Sequence, residues 1–599
     1  MKVTEAILDV LRDEGIRHLF CVPGGTIDPL LESLANQTSV RPIVCAHECG
    51  AAFMADGYAR ASARFGAYAV ISGPGFTNTI SALTTAFTDQ VPLLALSGEV
   101  NTDWEGRGSF QDSSSAGVRS MDIAGSITAL QLHLPKPSLT YHHMARLLRN
   151  MLSHSCRGPV HLSIPADVQR AEVLGDWAEL PRVLYQPRFV DIDGCSEFWG
   201  RVGTHSKVAI FAGSGCAHSE ASAELISFAE RFEIPVATTM PAKGVFPEDH
   251  PLSLGVMGWF GHTPAIEALS SGQLEVLFVM GSRLNMLDTM VWSPAFRPRK
   301  ALILNDINTH SVFRDFRVEL PILGDARTCL ETLNASASEL GVHLQASRPA
   351  RRQWIASLKN GGTLVDAPDH CRSDLCPIHP ARAIADLRQV MPRTTMLFAD
   401  SGAHGFFAAH YWKAYEPRRF FSSIKYMGSM GWAIPAAIGA KLAQPELPCA
   451  VVTGDGCMLM HGVEIQTAAR YRIPLVCVIL NNSALGNPKL RADKIGPAVS
   501  SLHELPTHDW AMFARSLGAH GITVTDPDEL VPAFTQALGA NATVVVDVRV
   551  GNYPTPTQRF DLEMGRDHRS LPLLPRTSER NRDDAHQRYR LRYLPRYLR

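Results

Sequence analysis

Two apolar runs that each stop at polar residues constrain this 599-residue chain more than any other feature. Val451-Val452 leads into Thr453-Gly454-Asp455-Gly456-Cys457, and Val476-Cys477-Val478-Ile479-Leu480 leads into Asn481-Asn482. Short runs of this kind read as buried strands. Residues 457–480 lie between them, room for one helix and a return strand, so the stretch reads as a βαβ unit. A right-handed crossover puts both strand ends on one sheet edge, where open α/β folds bind ligands. Asp455 and Asn482 bring oxygen atoms to that edge, and Gly454 and Gly456 let backbone approach closely. Hard oxygen donors beside bare N–H groups suit a Mg²⁺ held to a diphosphate. Gly-Asp-Gly alone is a common turn; its spacing to Asn-Asn carries the reading.

The length exceeds what one hydrophobic core supports and predicts several α/β domains. With 57 Lys+Arg against 58 Asp+Glu, the net charge of −1 offers no global attraction to nucleic acid or a membrane surface. No apolar run reaches the roughly 18 residues of a membrane span. The N-terminus enters a helical pattern at once (Val3, Ile7, Leu8, Leu11), so no signal peptide is expected. The 12 cysteines form no C-x-x-C pair and read as reduced, mostly buried residues of a cytoplasmic protein.

Strand and helix patterns alternate over residues 1–175, as in a doubly wound sheet. His18 to Val22 reads as a strand ending in Pro23-Gly24-Gly25, with Thr26 able to cap a helix over Ile27 to Leu34. Arg41 to Cys45 is a second strand, and His47-Glu48 opens a helix with small residues on most faces (Gly50, Ala51, Ala52, Ala55, Gly57, Ala59). A third strand, Ala67 to Ile71, ends in Ser72-Gly73-Pro74-Gly75, with a helix from about Thr77-Asn78. Over residues 185–345, Lys207 to Phe211 meets Gly213-Ser214-Gly215 without an evident acidic partner, which leaves a dinucleotide reading weak. Gly175 to Asp193 reads as a linker, and His142-His143 as surface residues of an amphipathic helix. Over residues 375–555, Thr395 to Ala399 is a strand ending in Asp400-Ser401-Gly402-Ala403-His404. Ser423 to Met427 then leads into Gly428-Ser429-Met430-Gly431 and a helix over Ala433 to Leu442. Residues 556–599 form an Arg-rich tail.

Taken together, Ala46-His47-Glu48-Cys49-Gly50-Ala51-Ala52, Asp56-Gly57-Tyr58-Ala59-Arg60, Ser72-Gly73-Pro74-Gly75, Thr77-Asn78 and the Asp455–Asn482 pair resemble the acetolactate synthase-like branch of the thiamine diphosphate (ThDP) enzymes. The resemblance spans about residues 1–555. It implies three α/β domains: a pyrimidine-binding domain (1–175), a Rossmann-like central domain (185–345) and a diphosphate-binding domain (375–555), each on a central, largely parallel sheet. It implies ThDP and Mg²⁺ as cofactors, with Asp455, Asn482 and the Ala484 carbonyl as metal ligands. Gly402, His404, Gly428, Met430, Gly454, Gly456 and Cys457 would surround the diphosphate and thiazolium, and Glu48, Thr77 and Asn78 the pyrimidine. Glu48 would contact the pyrimidine N1′, where a carboxyl that shares a proton activates the cofactor. Gly25, Phe110 and Gln111 would line the reacting centre, and Met430 would hold the cofactor bent. FAD is an optional ligand of the family's central domain.

The implied activity is decarboxylation of a 2-oxo acid with transfer of the acyl carbanion to an acceptor. A simple 2-oxo acid decarboxylase and a non-catalytic ThDP scaffold are the alternatives. In the family one subunit holds the pyrimidine and another the diphosphate, so a homodimer or tetramer is expected. Two positions depart from the synthase pattern: Leu287 stands where an acceptor-binding arginine is expected, and Arg491 where a tryptophan shapes the acceptor pocket. The acceptor is therefore expected to differ from that of an acetolactate synthase.

Overall fold

In the computed structural model, described over residues 1–154, 157–259, 261–359 and 362–556, three sheets of six strands carry the chain. The first holds β1 (His18–Cys21), β2 (Arg41–Val44), β3 (Gly66–Val70), β4 (Leu93–Glu99), β5 (Leu130–His133) and β6 (Val160–Pro165) in the order β2-β1-β3-β4-β6-β5. The second holds β7 (Val208–Ala212), β8 (Val236–Thr238), β9 (Ser253–Val256), β10 (Val276–Met280), β11 (Ala301–Asp306) and β12 (Leu320–Leu323) in the order β12-β11-β10-β7-β8-β9. The third holds β13 (Met396–Ala399), β14 (Phe420–Ser422), β15 (Cys449–Gly454), β16 (Leu475–Asn481), β17 (His520–Val524) and β18 (Thr543–Arg549) in the order β14-β13-β15-β16-β18-β17. Every pairing is parallel. The middle strands β3, β4, β15 and β16 are buried throughout, as strands covered by helices on both faces must be.

The first and third sheets have the same strand order, so the terminal domains are two versions of one topology. Strand order reverses between β1 and β3 in one and between β13 and β15 in the other. The central sheet reverses between β7 and β10, the arrangement of dinucleotide-binding folds. Crevices at such reversals, outside the carboxyl ends of the strands, receive ligands.

The small residues of the Glu48–Ser62 helix meet a second helix of small residues, Ala433–Ala443. A Cβ at Gly57 would overlap the Ala436 carbonyl, and one at Gly439 would overlap the Met54 carbonyl. The two backbones therefore touch, joining the terminal domains into one hydrophobic core. Trp432 Nε1 donates to Asp56 Oδ1 (2.8 Å), and Arg60 bridges Asp56 (2.6 Å) and Asp89 (2.8 Å) beside this contact. Gly57→Ala is expected to force the helices apart and cost about 1–3 kcal/mol or more, as overpacking of a close contact does. Urea denaturation with a lowered midpoint checks this; an unchanged midpoint contradicts the close approach.

Local expectations were corrected in several places. Thr26 does not cap the following helix, which spans Asp28–Ala35; its Oγ1 accepts from Ser72 N at 3.2 Å. The helix expected near Thr77-Asn78 is split into Pro74–Thr77 and Ile80–Asp89. Residues 457–480 hold not one helix but three short pieces, Asp455–His461, Gly462–Glu464 and Ile465–Arg470, before β16. His142 is exposed, but His143 is buried. The linker after Gly175 is tied down: Trp177 Nε1, Leu180 N and Tyr185 Oη all donate to the buried Glu14 carboxylate at 2.8, 2.8 and 2.6 Å. Most of the tail expected at 556–599 lies outside the described residues. Among the described residues, no helix is long and apolar enough to cross a membrane.

Candidate active site

The carboxyl ends of β13, β15 and β16 bring three turns together. Asp455 opens a helix directly after β15, and its buried carboxylate is held on several sides. Trp510 Nε1 donates to Oδ1 at 2.9 Å, and Asn482 N donates to Oδ2 at 3.0 Å. Burial pushes this carboxyl upward, while the bonds from Trp510 and from the backbone of Asn482, Ser483 and Ala484 pull it down. Asn482 Nδ2 donates to Asn552 Oδ1 at 2.6 Å. Turned over, the same amide instead donates its N–H₂ to the Ala484 carbonyl (2.9 Å) and Asp455 Oδ2 (3.0 Å), the orientation these two acceptors favour. The Asn482 side chain thus joins Asp455 and the Ala484 carbonyl into one cluster.

Beside this cluster, Gly402 has φ 147°, a value that favours glycine, and a Cβ there would collide with the His404 ring. Gly454 also abuts that ring. Burial lowers the His404 pKa to about 3, so its imidazole is neutral, and Nε2 lies 3.7 Å from Cys457 Sγ. Asp400, fully buried and pushed up to about 6 by burial, braces the turn by accepting from Trp432 N (3.1 Å) and Thr453 Oγ1 (3.0 Å). Met430 and Leu485 press against Gly456 from opposite chain segments. Gly428 takes φ 67° in the turn before Met430.

The equivalent edge of the first sheet gathers the other predicted residues. Glu48 is the first residue of its helix, and Asn78 Nδ2 donates to its Oε2 at 3.0 Å. Thr77 turns inward, its hydroxyl bonded to the Gly73 carbonyl at 3.1 Å. Ser72 and Thr26 bond across the β1–β3 reversal, which sets the Gly24-Gly25 turn next to Ser72-Gly73. The space a Cβ would occupy at Gly25 is open. Gln111, at φ 63°, packs over Gly73, and Ser113 Oγ accepts from Gly73 N at 2.5 Å. Phe110 is 86% exposed. Glu48 itself is only half-buried within one chain, short of the buried carboxyl expected.

The first domain meets the short helix of the third at that helix's far end. Asp455 starts the short helix and His461 ends it, and it is the His461 ring that lies 5.8 Å from His47. Glu464, just beyond, fixes the turn before Glu48: its carboxylate accepts from Ala46 N (3.1 Å) and His47 N (3.0 Å).

The central sheet has its own crevice at the β7–β10 reversal, a cavity of about 140 Å³ lined by Ser214, Gly215, Gly281, Arg283, Asn305 and Asp306 among others. Asp306, at the end of β11, puts a carboxyl in its wall. Arg157 Nε and Asn305 Oδ1, both at this cavity, are buried without a hydrogen-bond partner among the described residues.

Three family models match in order: the thiamine pyrophosphate enzyme N-terminal TPP-binding domain over residues 1–117, the central domain over 197–333 and the C-terminal TPP-binding domain over 400–548. A probable acetolactate synthase large subunit from Methanocaldococcus jannaschii is 32% identical over 568 residues, covering 92% of each chain. The chain belongs to the thiamine pyrophosphate enzyme family. An acetolactate synthase large subunit from Haemophilus influenzae is 30% identical, covering 91% of this chain and 94% of its own. The acetolactate synthase isozyme 3 large subunit from Escherichia coli is 29% identical with the same coverage. The chain is thus a ThDP-dependent enzyme of the carboligase class.

Some site residues carried no recognisable sequence signal. Trp510 lies 55 positions after the aspartate it holds, and Asn552 lies 70 after Asn482. Both reach the site only through packing of strand ends. The segment around Arg491 is a helix, Gly486–Ala492, with Arg491 exposed and Lys489 tied to Glu504 at 3.0 Å.

Proposed function

We propose that this ThDP enzyme decarboxylates a 2-oxo acid and transfers the acyl unit to an acceptor, with Mg²⁺ at Asp455, Asn482 and Ala484. The observation that carries the metal reading is the oxygen cluster. Mg²⁺ takes six oxygens in an octahedron at about 2.0–2.1 Å, so neighbouring ligands stand about 3 Å apart. The Asn482 side-chain amide lies 2.9 Å from the Ala484 carbonyl and 3.0 Å from Asp455 Oδ2, so the three groups stand close enough to share one ion, toward which the amide would turn its oxygen. One carboxylate, one amide oxygen and one carbonyl form a hard donor set that suits Mg²⁺ and leaves positions for diphosphate oxygens.

Bound ThDP supplies a nucleophilic carbon and an electron sink for decarboxylation. The chain's residues bind and orient around it. Gly402, His404, Gly454, Gly456 and Cys457 form the close-packed turn for the diphosphate, with Gly428 beside it. Met430, wedged against Gly456, orients the cofactor. Glu48, held by the Asn78 amide, presents a carboxyl able to hold or move one proton at the pyrimidine, next to Thr77. Gly25 would bring open backbone to the reacting centre, which Gln111, packed over Gly73, would line together with Phe110. No histidine occurs between Asn101 and Ser120, so the stretch around Gln111 supplies no imidazole to protonate a carbanion. That favours transfer to an acceptor over aldehyde release, and the naming of the relatives as acetolactate synthases supports it.

The half-sites are completed by a second copy of the chain. Phe110 at 86%, Leu459 at 52%, Met460 at 50% and Val463 at 42% exposure flank them, more apolar surface than side chains beside a finished site should leave in water. The crevice with Asp306, Arg157 and the Gly213–Gly215 turn supports a nucleotide on the central sheet, FAD included, and a visible absorbance scan of the purified protein reads it directly.

The test incubates the protein with ThDP, Mg²⁺ and a panel of 2-oxo acids, with and without carbonyl acceptors. CO₂ release that requires both cofactors, with a carboligation product once an acceptor is present, is the expected result. No CO₂ from any donor overturns the reading.

A further inference from the structure

Donors from different strand ends grip both oxygens of the Asp455 carboxylate. Asn482 N donates to Oδ2 (3.0 Å) and Trp510 Nε1 to Oδ1 (2.9 Å). Oδ2 is the oxygen beside the Asn482 amide, so it is the one turned toward the proposed ion. An indole N–H donates and cannot accept, so it occupies Oδ1 without adding a ligand of its own. Hydrogen bonds to an ionised acceptor are short and strong. Two donors on two oxygens fix the rotation of the carboxylate about its Cβ–Cγ bond.

The indole is itself rigidly placed. Trp510 is buried, and its backbone N donates to Asp547 Oδ2 at 3.1 Å. Asp547, also buried, accepts from Asn481 Nδ2 (2.9 Å) and pairs with Arg549 (3.0 Å). Asn481 Nδ2 donates in addition to the His508 carbonyl at 3.1 Å. The His508 ring lies tilted over the indole with centroids 4.8 Å apart, and Phe513 meets it edge-on at 5.6 Å. Asp509 caps the helix that begins at Trp510. Asn481 and Asn482 therefore govern the two oxygens of one carboxylate. Asn482 binds its oxygen directly, and Asn481 anchors the segment that carries the indole.

We infer that Trp510 is a positioning residue that limits Asp455 to one metal-facing oxygen and so makes the site select Mg²⁺ over Ca²⁺. The inference rests on the Mg²⁺ reading of Asp455, Asn482 and Ala484. Mg²⁺ demands a near-regular octahedron, and the two oxygens of one carboxylate stand closer than its edges of about 3 Å. It therefore takes a single oxygen from Asp455. Ca²⁺ is larger, accepts about six to eight oxygens, and binds a carboxylate through one oxygen or both. Without the indole bond the Asp455 carboxylate is free to rotate and present both oxygens, which suits Ca²⁺ and not Mg²⁺. Loss of the N–H thus costs the smaller ion more.

The experiment titrates the full-length protein, stripped of metal and saturated with ThDP, with Mg²⁺ and with Ca²⁺ in a calorimeter. Two variants separate the bond from the packing. Trp510→Phe keeps an aromatic ring but has no N–H. Trp510→His loses the benzo ring, yet its Nε2–H occupies the ring position of the indole Nε1. The wild type is expected to bind Mg²⁺ about tenfold or more tighter than Ca²⁺; Trp510→Phe should weaken Mg²⁺ about 10–100-fold and Ca²⁺ about threefold or less, the scale expected for loss of a ligand's orienting partner. Trp510→His should retain the wild-type preference. Equal weakening of both ions by Trp510→Phe, or a preference lost in Trp510→His as well, assigns the effect to packing and overturns the inference. A wild type that binds the two ions equally overturns it whether or not either variant folds. Mg²⁺ binding that survives Asp455→Ala overturns the metal reading itself.

Discussion

Glu48→Gln is expected to lower turnover by about 10²–10⁴-fold, the usual contribution of a positioned acid or base, while ThDP and Mg²⁺ still bind. The amide keeps the shape of the side chain and an oxygen to accept the Asn78 Nδ2 bond at 3.0 Å. What it loses is the ability to exchange a proton. The turn that places residue 48 does not depend on its charge, because Glu464 holds Ala46 N and His47 N, and His47 Nδ1 accepts from Cys49 N at 3.1 Å. Steady-state kinetics alongside a ThDP titration separates the two effects. Full turnover in the variant would remove Glu48 from the chemistry. Lost ThDP affinity with unchanged turnover at saturation would make it a binding residue only.

Asp455→Ala is expected to act at the other end, by loss of cofactor binding. Removing one orienting neighbour of a metal ligand already costs about 10–100-fold in affinity. Loss of the charged ligand itself should reach at least the upper end of that range. The deletion also strands Trp510 Nε1 and Asn482 N, both of which donate to this carboxylate. A buried donor without a partner costs about 1–3 kcal/mol, so the melting temperature should fall as well. The expected pattern is a Mg²⁺ requirement shifted to much higher concentration. An unchanged Mg²⁺ dependence of ThDP binding would place the metal elsewhere.

What could be read beforehand follows from how local each signal is. The Asp455 and Asn482 turns were legible because each terminates a fully buried strand, and strand period, crossover hand and oxygen chemistry point the same way. The helix-to-helix contact through Gly57 and Gly439 was half legible: small residues announce a close approach without naming the partner. Trp510 was not legible, since nothing in the stretch around it differs from an ordinary helix start after Asp509. Asp306 in the central crevice was not legible because the sequence shows no strand order, and only the order β11-β10-β7 puts the end of β11 on the same crevice as the glycine turn. The Thr26 cap failed because Thr26 lies inside the 3-10 turn Gly25–Ile27 that precedes the helix, and its hydroxyl accepts from Ser72 N instead. The left-handed run at Met290, Val291 and Trp292, with φ of 54°, 62° and 50°, had no signature at all: such backbone is usually announced by glycine or asparagine, and none of the three is either.

Subunit complementation tests the central claim most directly, that each site takes Glu48 from one chain and Asp455 from another. Glu48→Gln and Asp455→Ala proteins, each nearly inactive, are mixed in equal amounts under conditions that exchange subunits. If sites form between chains, half of the dimers are hybrids, each with one site carrying both substitutions and one carrying neither. Activity should then return to about a quarter of the wild-type value. A mixture no more active than its two components, with exchange verified, would contradict the account.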